Sequence, residues 1–170
     1  MSRPEPDPGA AATTAPSRSQ ALPGSEAHSP ALAADDAMEV VRRVETDEIA
    51  AREARLRFRD GPIQPLDPPP GELPASLADE PVYAVRTAAI LNAARADVPG
   101  YSGTLYLTGT RLVLVGQVTV SIPLTDILET DLGGERLLLT LRNGEGATLD
   151  VGQPRLLRAH LSAVRHLGRT

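Results

Sequence analysis

The stretch from Gly103 to Asp131 constrains the fold of this chain more than any other. Leu105 and Leu107 alternate with Thr104, Tyr106 and Thr108, and Leu112 and Leu114 alternate with Arg111, Val113 and Val115. That is the period of two that side chains follow along a strand. Gly109 and Thr110 separate the two runs, and a Gly at the first central position suits a type II′ hairpin turn. In a third run, Val118, Val120, Ile122 and Leu124 share one face, and Thr119, Ser121 and Pro123 share the other. Pro123 has no backbone N–H to donate, so its strand belongs at an edge or a bulge. The pattern specifies a meander of antiparallel strands, which suits a binding module.

The rest of the back half extends this pattern. Pro81 to Leu91 reads as the first strand, with Tyr83, Val85 and Thr87 opposing Val82, Ala84 and Arg86. The loop from Asn92 to Ser102 follows, with a turn at Pro99-Gly100. After a turn at Gly133-Gly134, Leu137, Leu139 and Leu141 line one face of a further strand, and Asn143-Gly144 is a strong hairpin signal. Ala147 to Val151 is the returning strand, with Leu149 and Val151 inward. Pro154 fits the first turn of a closing helix, whose apolar face is Leu157, Leu161 and Val164, extended by Leu167. Leu105, Leu112, Leu139 and Leu161 are therefore expected to share one interior, with His160 at its boundary.

Three segments together resemble a GRAM domain of the PH-like superfamily. They are Gly-Thr-Leu-Tyr-Leu-Thr-x-x-Arg-Leu-Val, Ser-Ile-Pro-Leu-Thr-Asp-Ile, and Arg-Leu-Leu-Leu-Thr-Leu-Arg-Asn-Gly, followed by the closing helix. The resemblance spans about residues 79–168. It implies a mostly β fold, a PH-like barrel of about seven antiparallel strands capped by a C-terminal α-helix. In phosphoinositide-binding members of that superfamily the loop after the first strand carries several basic residues. Here that loop offers Arg95 beside Asp97, so the lipid activity does not carry over on these residues.

The front half divides by composition. Residues 1–36 are rich in Pro, Ala, Ser, Thr and Gly with few large apolar residues, which predicts a disordered arm. His28 stands alone in it. Residues 37–60 predict a helix with Asp35 and Asp36 as N-caps. Val40, Val44, Ala51, Ala54 and Phe58 fall near one of its faces, interrupted by Asp47 or Glu48, and Glu48–Arg52 and Glu53–Arg57 have the favourable i,i+4 order. Such a helix is solvated, or it self-associates, or it docks on the barrel's outer wall. Residues 61–78 form a Pro-rich linker, expected to be a semi-rigid spacer before a PH-like, GRAM-like domain over 79–170.

Charge and composition exclude several functions. The chain has 170 residues, no Cys, no Trp and only 2% aromatics, and all of its basic residues are Arg. Without Cys there are no disulfides and no thiolate chemistry, which fits a reducing cytoplasm. Residues 1–80 hold 15 acids and 8 Arg, net −7, and residues 81–170 hold 7 acids and 9 Arg, net +2. That balance argues against nonspecific nucleic-acid binding, which depends on phosphate neutralisation. No apolar run approaches the roughly 20 residues of a membrane span, no secretory signal is recognised, and Ser2 stands where myristoylation needs Gly. A cytoplasmic location is expected.

Catalytic, metal and cofactor motifs are lacking. His160 and His166 are six residues apart, so they cannot share a metal as i,i+4 histidines do. Gly100-Tyr101-Ser102-Gly103 lacks the spacing and context of a nucleophile elbow. The expected function is a noncatalytic adaptor for a protein or peptide partner. Val113, Val115 and Leu138 would form an outward apolar patch if the Leu rows face inward. Arg155, Arg158, Arg165 and Arg169 would form a basic face on the closing helix, suited to an acidic partner or to the chain's own acidic N-terminal arm. The alternative is weak association with anionic membrane lipids through that same helix.

Overall fold

The computed structural model describes residues 30–68, 71–91 and 100–168. A long helix, α1 (Pro30–Asp60), precedes a 3-10 turn (Ala75–Leu77) and the strands β1 (Val82–Leu91), β2 (Tyr101–Thr108), β3 (Arg111–Gly116) and β4 (Thr119–Pro123). A second 3-10 turn (Leu124–Asp126) leads to β5 (Ile127–Gly133), β6 (Arg136–Leu141), β7 (Gly146–Val151) and the closing helix α2 (Pro154–Leu167). Every pairing is antiparallel and the order is β4-β3-β2-β1-β7-β6-β5. Seven antiparallel strands closed by a C-terminal helix is the architecture expected of a PH-like fold.

Ile122 on β4 and Ile127 on β5 belong to one core cluster although they lie at opposite ends of the ladder, so the sheet wraps around a shared interior. Leu105, Leu112, Leu139 and Leu161 sit in that cluster with 2%, 1%, 2% and 0% exposure, as the strand and helix periodicities predict. Pro123 ends the edge strand β4, where its missing N–H costs no ladder bond. Gly103 and Gly116 face each other across β2 and β3, and a Cβ on either would come within 2.2 Å of the opposing carbonyl oxygen. The hairpin that dominates the sequence can therefore pair along its whole length only with Gly at both positions.

The turns differ in detail from expectation. Gly109 is not among the glycines with positive φ, so the β2–β3 connection is not type II′. Instead Thr108 Oγ1 accepts hydrogen bonds from the Thr110 and Arg111 amides at 3.3 and 3.1 Å. A side chain thus supplies the local acceptor that directs the turn. The Asn143-Gly144 turn is a three-residue connection. The Gly144 amide donates to the Leu141 carbonyl, the Leu141 amide donates to that of Glu145, and Gly144 takes the left-handed conformation at φ 84°. β1 carries a bulge between Val82 and Ala84, so both are buried, but in different clusters.

The front half departs further. Helix α1 begins at Pro30, so Asp35 and Asp36 lie inside it and cannot cap it, and the expected arm is shortened from its C-terminal side. The remainder of that arm with His28, the loop bearing Arg95 and Asp97, and Arg169 all lie outside the described residues. Glu48 pairs with Arg55 and Arg155, not with Arg52. The Pro-rich segment is no free spacer. Ile63 joins the main core, the Leu66 amide donates to the Val82 carbonyl at 2.7 Å, and Leu73 and Leu77 pack over the outer face of β1, β2 and β3 with Val82, Val85, Tyr106, Val113 and Val115.

Glu80 fastens the end of this segment. Its carboxylate accepts hydrogen bonds from the Arg111 guanidinium and the Thr110 hydroxyl, and Arg111 also donates to the Ser76 carbonyl at 3.3 Å. The Arg111 hydrogen bonds hold the Glu80 carboxyl below the usual carboxylate range. A carboxylate more acidic folded than unfolded contributes stability above its unfolded value, near pH 4.3, and loses it as pH falls through the lowered folded value. Glu80→Gln should therefore lower the urea midpoint at pH 7, by no more than about 1 kcal/mol in stability for a pair that solvent still reaches. The gap from the parent chain should close as pH falls below 4. Urea titrations of both chains from pH 7 to pH 3 check this, and a gap independent of pH would contradict it.

Candidate functional site: a basic-rimmed groove between β5 and the two helices

The site is built on the packing of α1 against α2. Contacts advance together along both helices, with Asp47 against Arg155 and Phe58 against His160, so the helices run in the same general direction. Ala51 and Ala54 are fully buried against Leu156 and Ala159, small residues that let the two backbones approach. α2 is thus apolar on two sides. Leu157, Leu161 and Val164 enter the barrel, while Leu156 and Ala159 meet α1.

Asp47 fixes the register of the pair. Its side chain is 2% exposed and accepts hydrogen bonds from the Arg155 and Leu156 amides at 2.8 and 2.9 Å. These are first-turn amides of α2, which no residue within the helix can satisfy. The residue before α2, Gln153, makes no side-chain cap, so a carboxylate on α1 caps α2 from outside. Sequence reading treats Asp47 as an interruption of an apolar face. An acid at the centre of such a face, together with a neighbouring helix that opens on Gln-Pro without a good cap, is the signal that could have found it.

Beyond this cap the C-terminal halves of the helices and the edge strand β5 enclose a groove of about 1080 Å³. Its apolar lining includes Phe58, Ile63, Leu128, Leu161 and Ala163, and Arg55, Arg59, Arg158, Arg165 and His166 surround it with Asp60 as the acid. Arg55 is engaged by Glu48, whereas Arg59, Arg158 and Arg165 form no ion pair among the described residues. Among the described residues β5 pairs with β6 alone, and its Leu128 and Thr130 line the groove. Leu128 lies at a bulge in β5 and is 48% exposed at the groove wall. Such a groove brings a terminal strand of the sheet, an apolar floor and positive charge to one place.

The structure separates the residues expected to bind a partner. Val113 is 1% exposed and covered by Leu73 and Leu77, with Val115 half-buried beside it, so that wall is core and not a partner patch. Leu138 is 37% exposed, but it lies on β6, with three strands between it and β3. Arg155 turns towards α1, 3.7 Å from Asp47 and 3.4 Å from Glu48, so it is no open docking residue. Arg158 and Arg165 line the groove together.

A second polar cluster lies between the sheet and the helices. Arg86 pairs across β1 and β2 with Leu105 and so shares its inward face. Its Nε is buried without a hydrogen-bond partner, while one terminal nitrogen donates to the Val85 carbonyl at 2.7 Å. Burial pulls its pKa below the usual guanidinium value, opposed by the charge of Asp47. His160 rests 5.4 Å from the Phe58 ring, its Nδ1 buried and without a hydrogen bond of ordinary geometry. Burial pushes its pKa down, as does the charge of Arg86, while the nearby Leu156 carbonyl opposes the shift. No group of three metal-ligating side chains occurs among the described residues. No described helix is long and apolar enough to cross a membrane.

Among solved structures, the chain is similar to the Vps36 N-terminal PH domain. Identity is 14%, the TM-score is 0.47, and the match covers 63% of this chain and 95% of that one. It is also similar to the C-terminal domain of an unknown protein from Leishmania infantum, at 14% identity and a TM-score of 0.43, covering 53% and 89%. A likeness to a structure of inhibited Vav1 covers 79% of this chain and 25% of that one, at 15% identity and a TM-score of 0.39. No protein-family model matches the chain, and no curated protein matches it.

Proposed function

We propose that the chain is a GRAM-like, noncatalytic adaptor that acts in the cytoplasm and binds an extended acidic peptide in the groove beside β5. The observation that carries this reading is the coincidence of a sheet edge unpaired among the described residues with an apolar floor and Arg59, Arg158 and Arg165 at the rim. An extended peptide can add a strand to such an edge, its backbone bonds giving affinity and its side chains giving specificity. Acidic residues in the peptide would meet the rim arginines, which would steer the encounter and set its orientation. Weak attachment to anionic lipids through α2 is the competing reading, because the same arginines could face a membrane.

A fluorescently labelled peptide of alternating Leu and Glu serves as the probe. It should bind the full chain, weaken with added salt, and lose about tenfold in affinity in the Arg158→Glu/Arg165→Glu double variant, about 1.4 kcal/mol. Cosedimentation with phosphatidylserine-containing vesicles at low salt should leave the protein in solution. Peptide binding that ignores the double substitution overturns the groove assignment, and salt-sensitive vesicle binding without peptide binding establishes the lipid reading instead.

A further inference from the structure

Helix α1 has a second apolar face that the barrel does not use. Met38, Val41, Ile49 and Leu56 are 55%, 55%, 60% and 50% exposed. At 3.6 residues per turn these four fall within roughly 80° of arc, opposite the face that buries Asp47, Ala51, Ala54 and Phe58. The stripe from Met38 to Leu56 runs about 27 Å along the helix. Glu45 and Arg52 project from the same stripe, both exposed and without an ion-pair partner among the described residues. Four large apolar side chains held in water on one line are a surface awaiting cover.

The order of charges says what covers it. We infer that α1 pairs with α1 of a second copy of this chain, antiparallel about a two-fold axis beside Ile49. In that arrangement Val41 lies opposite Leu56 of the other copy, Glu45 lies opposite its Arg52, and each Ile49 flanks the axis. Every contact occurs twice, as a self-complementary two-fold interface requires. The parallel alternative sets Glu45 against Glu45 and Arg52 against Arg52, so the charges select one orientation as well as one partner. The opposite face of α1 stays packed on α2, and the groove beside β5 stays open, so dimerisation and peptide binding are separate properties of the chain.

Sedimentation of the full chain over a concentration series tests the pairing. Glu45→Arg and Arg52→Glu should each weaken the dimer at least about tenfold by placing like charges opposite one another, and the combined E45R/R52E chain should recover it. Single variants that dimerise as the parent does, or a combined variant as weak as the singles, overturn the proposal. So does a parent chain that sediments as a monomer at the highest concentration reached. Because the chain contains no Cys, Ile49→Cys gives a clean second measurement. Its oxidation should yield a disulfide-linked dimer, whereas Asn143→Cys, on the far hairpin, should form no covalent link. Equal crosslinking of both would point to random collision and overturn the assignment.

Discussion

Asp47→Ala should lower the unfolding free energy by about 3 kcal/mol, far more than an acid on a helix surface would. The carboxylate is buried and holds two first-turn amides of α2, with the Arg155 guanidinium beside it. Removing it leaves both amides without an acceptor and the Arg155 side chain, only 18% exposed, without one of its two countercharges. Loss of a cap costs about 0.5 to 2 kcal/mol, and stripping one partner from a buried pair about 3 to 5. Partial exposure of Arg155 and its second partner, Glu48, put the expected value near the lower end of the second range. Asp47→Asn keeps one carbonyl oxygen but turns an amide N–H₂ towards the other donor, so it should lose about half as much. Glu48→Ala, which removes an acid 53% exposed from the adjacent position, should cost less than about 1 kcal/mol. Denaturant midpoints of the three variants check the ranking. Equal effects of Asp47→Ala and Glu48→Ala would mean that the cap does not hold the helices together.

The same residue marks where the sequence can and cannot be read. The strands were legible because alternation along β2, β3 and β6 is a local signal. Leu105, Leu107, Leu112, Leu114, Leu137 and Leu139 all enter the core that the period of two predicts. Pro123 at the edge and Pro154 at the start of α2 were legible for the same reason, since a missing N–H is tolerated in few places. The interface between α1 and α2 depends instead on which helix lies beside which, and neither Asp47 nor Ala51 carries that information alone. Leu156 and Ala159 fall outside the one apolar face that the reading assigned to α2 and become apolar contacts only when α1 arrives. The position of Arg155 escapes the local signal for the same reason. It lies on the face that α1 covers, whereas Arg158 and Arg165 border the groove. The groove itself is tertiary, assembled from β5, both helices and the start of the Pro-rich segment.

Leu77→Ala should cost about 3 kcal/mol, the second large effect expected in this molecule. Leu77 is 0% exposed and packs with Val82, Tyr106 and Val113 on the outer face of the sheet, in a segment whose prolines read as a spacer. A spacer residue would be indifferent to truncation, and Leu66, 47% exposed in the same segment, supplies the comparison, with an expected cost within about 0.5 kcal/mol. Proline excludes helix and ladder pairing, but it does not prevent a leucine beside it from packing sideways onto a sheet. The outer face of β3 offers Val113 and Val115 to receive it. This also moves the working boundary of the folded unit. A fragment beginning at residue 79 would uncover Val82, Tyr106 and Val113, and it would lose Ile63 from the main core and α1 from the groove wall. Such a fragment should be less stable than the full chain and prone to associate through the uncovered wall. Equal denaturant midpoints for Leu77→Ala and the parent chain would show instead that the segment merely lies against the sheet.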